Sequence, residues 1–263
     1  MKRLKNCIAT LGLLLPVQAA VYSHYSFDTD YTDSSGNSRD GTLVDVGTTG
    51  NSLITTATGD FVFGGGAMSF SEERDYIALP DGPLKATFGS GTPYTIAFWA
   101  RKAPGDTGDA GDFDMVVGDR DGSGFFIALN DVNGAGLRWR SSSNATNRQA
   151  DFAVAKDYEW HHYAIVASDT TISLYYDGAL FGSDTENMTG FQFNTIGEAY
   201  TADRDFDFNG EIDEMWVFDE ALDSAELSNL VTFNSIVPEP SAALLSTIGF
   251  VALIRRRRAG GSR

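Results

Sequence analysis

Apolar and polar residues alternate with a period of two along most of the chain, which is the pattern of strands with one buried face. Tyr94-Thr95-Ile96-Ala97-Phe98-Trp99-Ala100 and Gly124-Phe125-Phe126-Ile127-Ala128-Leu129 predict strands, the second apolar enough to be central. Gly136-Leu137-Arg138-Trp139-Arg140 alternates cleanly, so one of its faces meets water. The segment Trp160 to Ala167, a turn at Ser168-Asp169-Thr170, and Thr171 to Tyr176 predict a hairpin. The Asp177-Gly178 pair that follows suits the positive φ angles of a primed turn and leads into Ala179-Leu180-Phe181. A last long strand is expected from about Phe208 to Phe218. Helical spacing occurs once, where Asp223-Ser224-Ala225-Glu226 forms a capping-box pattern ahead of Leu227, Leu230 and Val231. A dozen or more short strands joined by Gly/Asp/Ser turns make an antiparallel two-sheet sandwich with one short C-terminal helix. The Asp/Gly stretch from Pro104 to Asp114 is its expected long loop.

The two ends break this pattern. Lys2, Arg3 and Lys5 precede an apolar run from Ile8 to Leu15 and the small-residue site Val17-Gln18-Ala19-Ala20, which predicts a cleavable export signal over residues 1–20. Cleavage there removes Cys7, the chain's one cysteine, and leaves a domain over residues 21–235 without disulfide or thiol chemistry. At the other end, Pro238-Glu239-Pro240 is followed by an apolar run from Ala242 to Ile254 and then by Arg255, Arg256, Arg257 and Arg258. The run is shorter than the ~20 residues of a stable transmembrane helix. Snorkelling arginines extend it and hold that end in the cytoplasm, a transient inner-membrane anchor with the domain outside. The order of these elements over residues 236–263 resembles the PEP-CTERM sorting tail of Gram-negative bacteria. That resemblance implies an exosortase-like processing enzyme and a place in the cell envelope or extracellular matrix, near extracellular polysaccharide.

Charge narrows the partners. Residues 21–236 hold eleven basic side chains against 35 acids, a net charge of −24. A domain so acidic repels phosphate backbones, which excludes nucleic acid. Its acids solvate a secreted surface, and some of them could hold Ca²⁺.

Several segments together resemble one family. Tyr25-Ser26-Phe27-Asp28 with Asp33-Ser34-Ser35-Gly36-Asn37, then Tyr94 to Trp99, Trp160 to Ala164 with Leu174 to Gly178, and Phe208 to Glu214 with the helix at Asp223 to Leu230 fall in order. They look like the markers of laminin G-like jelly rolls of the concanavalin A-like lectin/glucanase superfamily. In such a fold the first and last strands lie side by side. Asp28, Asp33 and the Asn37 carbonyl then approach Asp213, an oxygen set for Ca²⁺, and the resemblance implies a structural calcium in this region. The alternative is a turn in which Asp33 and Asn37 cap their own backbone.

Glucanases of this superfamily use two carboxylates on one strand face with an Asp between them, in the signature Glu-x-Asp-x-x-Glu or a form one residue shorter. Glu211-Ile212-Asp213 starts that signature, but Trp216 or Met215 stands in the third place, and Glu214 points to the other face unless a bulge rotates it. Asp205-Phe206-Asp207-Phe208-Asn209-Gly210 imitates the start of an EF-hand loop, with Trp216 where the last ligand should be. His161 and His162 are expected to pack and hydrogen-bond rather than ligate metal. Trp99, Trp160 and Trp216 match core positions of the family. Trp139 between Arg138 and Arg140, together with Tyr200, is therefore the surface aromatic set that could meet a glycan. The sequence reads as a non-catalytic exported surface protein that binds polysaccharide or another envelope component. Two alternatives are a lectin-like module with a defined glycan ligand and a glycoside hydrolase.

Overall fold

The computed structural model describes residues 19–236, apart from 47–51, 71–73, 81–85, 105–113, 121–123, 130–135, 144–145, 156, 186–189 and 199–205. The export signal up to residue 18, the sorting residues Pro238, Glu239, Pro240 and Arg255 to Arg258, the long 104–114 loop for the most part, and Tyr200 lie outside the described residues.

Seventeen strands and one helix occur among the described residues, in the order β1 (Val21–Tyr25), β2 (Thr42–Val44), β3 (Leu53–Thr55), β4 (Ala67–Phe70), β5 (Tyr76–Ala78), β6 (Ala86–Phe88), β7 (Tyr94–Lys102), β8 (Asp114–Gly118), β9 (Phe126–Leu129), β10 (Leu137–Ser143), β11 (Thr146–Phe152), β12 (His161–Ser168), β13 (Thr171–Tyr176), β14 (Ala179–Asp184), β15 (Phe191–Phe193), β16 (Thr195–Ile196), β17 (Gly210–Phe218) and α1 (Ser224–Phe233). All pairings are antiparallel. An eight-stranded sheet runs β14-β13-β12-β7-β17-β4-β3 with β1 also on β17, and a seven-stranded sheet runs β11-β10-β9-β8-β16-β5-β2. β15 and β6 form a separate ribbon.

The strand alternation sorts residues between two faces. Ile96, Phe98, Ile165, Leu174, Ile212 and Val217 of the larger sheet meet Ile77, Val117, Ile127, Leu137, Trp139 and Ile196 of the smaller one in a single core. Each large aliphatic or aromatic side chain so buried contributes roughly 1.5–3 kcal/mol. The Asp177-Gly178 turn has φ of 49° and 79°, both positive as a primed hairpin turn requires. Helix α1 starts with the expected capping box: Asp223 accepts from the backbone N–H of Ala225 and Glu226, and Glu226 accepts from Asp223 N–H. Leu227 and Leu230 lay the helix on Ala97, Ala164, Val166 and Phe218, the outer face of the larger sheet. Among the described residues no helix is long and apolar enough to cross a membrane.

β17 is central and irregular. On one side it pairs with β7. On the other, β4 takes Gly210 to Ile212 and β1 takes Met215 to Phe218. Asp213 and Glu214 fall between those two partners, at a bulge where Glu214 has φ of 50°. This break organises the first of two polar centres.

Candidate functional site

The expected metal ligands separate into two pairs. Asp33 belongs to the turn: its carboxylate accepts from His24 N–H and Ser35 N–H at 3.0 Å and from Arg39 N–H at 3.1 Å. The Asn37 side-chain amide donates to Val21 O at 2.8 Å. Asp33 caps its own turn, whereas Asn37 reaches back to the carbonyls of β1.

Asp28 and Asp213 instead grip one short loop beside the β17 break. Asp213 Oδ2 accepts from Val62 N–H at 2.7 Å and Phe63 N–H at 3.1 Å, and Asp28 Oδ1 accepts from Gly65 N–H. Gly64 between them has φ of 62°, and a Cβ there would stand 1.8 Å from Asp28 Oδ1, so only glycine fits. Asp213 is fully buried, its Oδ1 has no hydrogen-bond partner, and burial pushes its carboxyl up to about 7. Among the described residues no group of three or more His, Cys, Asp or Glu side chains could by itself hold a metal ion. A cation here would therefore rest on Asp28, Asp213 and main-chain oxygens, and the unmatched Asp213 Oδ1 fits such a role. Across the same sheet face Asp213 pairs with Trp99 and Trp99 with His162. Burial lowers the His162 imidazole to about 4, so it stays neutral at physiological pH.

The bulge also resolves the glucanase-like segment. Glu214 turns to the outer face, where its carboxylate meets His24 Nε2 at 2.6 Å, and His24 stacks on Trp216 at 3.5 Å. Glu211, Asp213 and Glu214 thus share one face, yet each carboxylate is committed. Glu211 accepts from Arg101 Nε at 2.9 Å, Asp213 from two amides, and Glu214 meets an imidazole.

The aromatic assignments exchange places. Trp139 lies on the inward face of β10, fully buried, with Nε1 donating to Tyr94 OH at 2.8 Å and its ring 5.9 Å from Phe191. A glycan cannot reach it. Leu137, on the same strand parity, already marked that face as apolar. Trp99, Trp160 and Trp216, expected in the core, lie on the outer side of the larger sheet and are half-buried. Arg138 is spent on Asp151 in a two-pronged pair at 2.7 and 3.0 Å, whereas Arg140 lies over Phe126 at 5.6 Å.

Those two arginines do face outward on the smaller sheet, and that face carries a second polar centre which the sequence did not suggest. Glu198 follows β16 and is completely buried. Its Oε2 accepts from Arg120 Nη1, and Arg74 Nε stands 3.9 Å from Oε1. Arg120 lies 4.0 Å over the Tyr76 ring, and its backbone N–H is held by Asn194 Oδ1 at 2.9 Å. Arg74 has φ of 65°, a left-handed conformation uncommon for a side-chain-bearing residue, with its N–H on Asp207 Oδ2 at 3.0 Å. Asp207 in turn bridges to Glu198 through the backbone. Burial pushes the Glu198 carboxyl up to about 7, against the opposing pull of the two guanidinium groups. Met115, Phe126, Ala128 and Phe206 form an apolar cluster on the same face, apart from the main core. Arg74 with Tyr76, Arg120 and Glu198 come from three separate chain segments, so no local motif announces them.

A double-layered jelly roll with an outward polar and aromatic face is the architecture of lectin-like β-sandwich domains. Residues 70–228 match the profile of the Concanavalin A-like lectin/glucanases superfamily, and the chain belongs to that family. No curated protein matches the sequence. Among solved structures, domain 4 of AbnA, a GH43 extracellular arabinanase from Geobacillus stearothermophilus solved with arabinotriose, superposes at a TM-score of 0.62 with 21% identity over 82% of this chain and 100% of its own. The binding domain of Paraclostridial Mosquitocidal Protein 1 superposes at 0.59 with 20% identity over 80% of this chain and 51% of its own. The botulinum neurotoxin serotype D ligand binding domain, solved with N-acetylneuraminic acid, superposes at 0.58 with 14% identity over 80% of this chain and 50% of its own. This chain spans about half the length of the two toxin domains. At these identities the likeness is one of fold.

Proposed function

We propose that the protein is a non-catalytic carbohydrate-binding protein, exported and retained in the cell envelope or extracellular matrix of a Gram-negative bacterium. The observation that carries this reading is the Glu198–Arg120–Arg74 centre beside Tyr76: a buried carboxylate orienting two part-exposed guanidinium groups and an aromatic ring. Arginine forks, a carboxylate and an aromatic ring are the polar and stacking groups that hydroxyl-rich ligands use. The arabinotriose seen on the AbnA domain supports a saccharide ligand for this fold. A lectin with one defined glycan is the narrower form of the same reading.

Binding is favoured over hydrolysis because the solved structures with this fold include toxin binding domains. The terminal sequences support secretion, brief retention in the inner membrane and release by an exosortase-like enzyme. Asp28 and Asp213 would hold a structural Ca²⁺ that ties the first and last strands to the Val62–Gly65 loop.

The decisive measurement is a glycan array with the secreted protein, paired with a reducing-sugar assay on every polysaccharide it recognises. Discrete glycan signals without sugar release are expected. An empty array would end the reading, and sugar release lost in Glu198→Gln would convert it to a hydrolase.

A further inference from the structure

The carboxylate of Glu198 is used on one side only. Its Oε2 is taken by Arg120, whereas Oε1 is buried and has no hydrogen-bond partner. Arg74 Nε, 3.9 Å away, is also buried without a hydrogen-bond partner. That separation is too long for a direct hydrogen bond, and an oxygen about 2.8 Å from each atom spans it. A buried donor and a buried acceptor left unsatisfied are each destabilising, so the gap calls for a partner. We propose that this opening is the subsite for one hydroxyl group of an uncharged sugar residue, walled by Tyr76 and Arg120. The proposal rests on the carbohydrate-binding reading above and specifies the class of sugar.

The chemistry selects the group. A hydroxyl carries one donor and two acceptor lone pairs on a single atom, so it can give its proton to Oε1 while accepting from Nε–H. A carboxylate accepts from Arg74 but sets its lone pairs against Oε1. An ammonium donates to Oε1 but offers Arg74 nothing. The gap therefore takes a hydroxyl in preference to a carboxylate or a free ammonium group, and the acidic domain adds repulsion against polyuronates.

The surroundings hold this geometry in place. The left-handed backbone of Arg74 persists because its N–H is fixed on Asp207, which keeps its guanidinium facing Glu198. Arg120 is fixed at both ends, by Asn194 on its backbone and by Glu198 and Tyr76 on its side chain. The Arg74 and Arg120 side chains keep 30% and 23% of their surface exposed, whereas Arg74 Nε and Glu198 Oε1 are themselves buried, so the hydroxyl enters as the Arg74 side chain shifts.

Affinity gel electrophoresis of the secreted protein through arabinan, laminarin, mixed-linkage β-glucan, alginate and polygalacturonate tests this. Retardation is expected in at least one of the neutral polysaccharides and in neither polyuronate. Arg74→Met and Glu198→Gln should each weaken that retardation about ten-fold, the loss of roughly one hydrogen bond to a charged group. Arg74→Met keeps the backbone N–H bond to Asp207 and part of the side chain's cover, so it reads the subsite even if Glu198→Gln folds poorly. Retardation of Arg74→Met equal to the parent would mean that a water alone fills the opening, which overturns the subsite and leaves the carbohydrate reading standing. Retardation by polyuronates only would overturn the hydroxyl assignment. Migration unaffected by all five polymers would end both.

Discussion

Asp213 shows how one residue can set the terms for a whole edge of the fold. Its carboxyl is raised to about 7 by burial, so the folded state holds a proton that the unfolded chain releases near its ordinary value of 3.8. The stability linked to that proton is fully present below about pH 4 and is lost as pH rises through about 7. A shift of that size corresponds to roughly 4 kcal/mol. Asp213→Asn, which keeps an oxygen for Val62 and Phe63, should therefore raise the melting temperature at pH 8 in the absence of Ca²⁺. Added Ca²⁺ should raise the melting temperature of the parent and leave the Asn variant unchanged. A parent protein indifferent to Ca²⁺ by scanning calorimetry would remove the metal proposal. His161 gives the opposite lesson at the surface. Burial lowers its imidazole, but hydrogen bonds to Asp177 at 2.8 Å and Asp157 at 3.1 Å outweigh that and leave it raised. Its pair with the two acids stabilises the fold fully below the ordinary histidine value and ceases to do so as pH rises through the raised one. His161→Gln should therefore cost more melting temperature at pH 5.5 than at pH 9.

At the scale of the element, regular structure follows the sequence pattern and departures from it mark special sites. The α1 capping box satisfies backbone donors that no helix can satisfy internally, and Asp223→Ala should cost about 1 kcal/mol in urea unfolding. The helix covers the outer apolar stripe of β7, β12 and β17, so the same variant should also expose Phe218 to solvent. In β10, strict alternation places Trp139 with Leu137 inside and Arg138 with Arg140 outside. Trp139→Ala should destabilise by roughly 3–5 kcal/mol, a core truncation rather than the loss of a ligand platform. Charged neighbours in sequence make a tryptophan look solvent-facing, but on a strand neighbours occupy opposite faces. The β17 bulge is the converse case. Period-two reasoning assigns Glu214 to the inner face, and the inserted residue returns it to the outer one beside His24.

For the molecule as a whole, two sheets and a shared core account for stability without a disulfide, since the single cysteine lies in the expected export signal. Ala20 N–H donates to Glu220, and β1 starts one residue later. Removal of residues 1–19 would convert that contact into an ion pair with a new α-amino group, and removal of residues 1–20 would leave β1 intact. Mass spectrometry of the protein secreted by an exosortase-bearing Gram-negative host should show a start at Ala20 or Val21 and loss of the residues after the Pro238-Glu239-Pro240 segment. Recovery of the full chain from the cytosol would overturn the export reading.

The all-β class, the hairpin around Asp177-Gly178, the capped helix α1 and the family were legible in the amino-acid order, because these rest on local periodicity, turn chemistry and short ordered motifs. Asp28 and Asp213, expected in one oxygen set because the first and last strands of such a sandwich are neighbours, both hold the Val62–Gly65 loop. Only the tertiary structure separated Asp33 and Asn37 from them and turned Trp139 inward. Only the tertiary structure assembled Arg74, Tyr76, Arg120 and Glu198 on one sheet face. The reason is physical: a strand's period says which residues share a face, whereas the partners each face meets depend on strand order and register across the whole sheet.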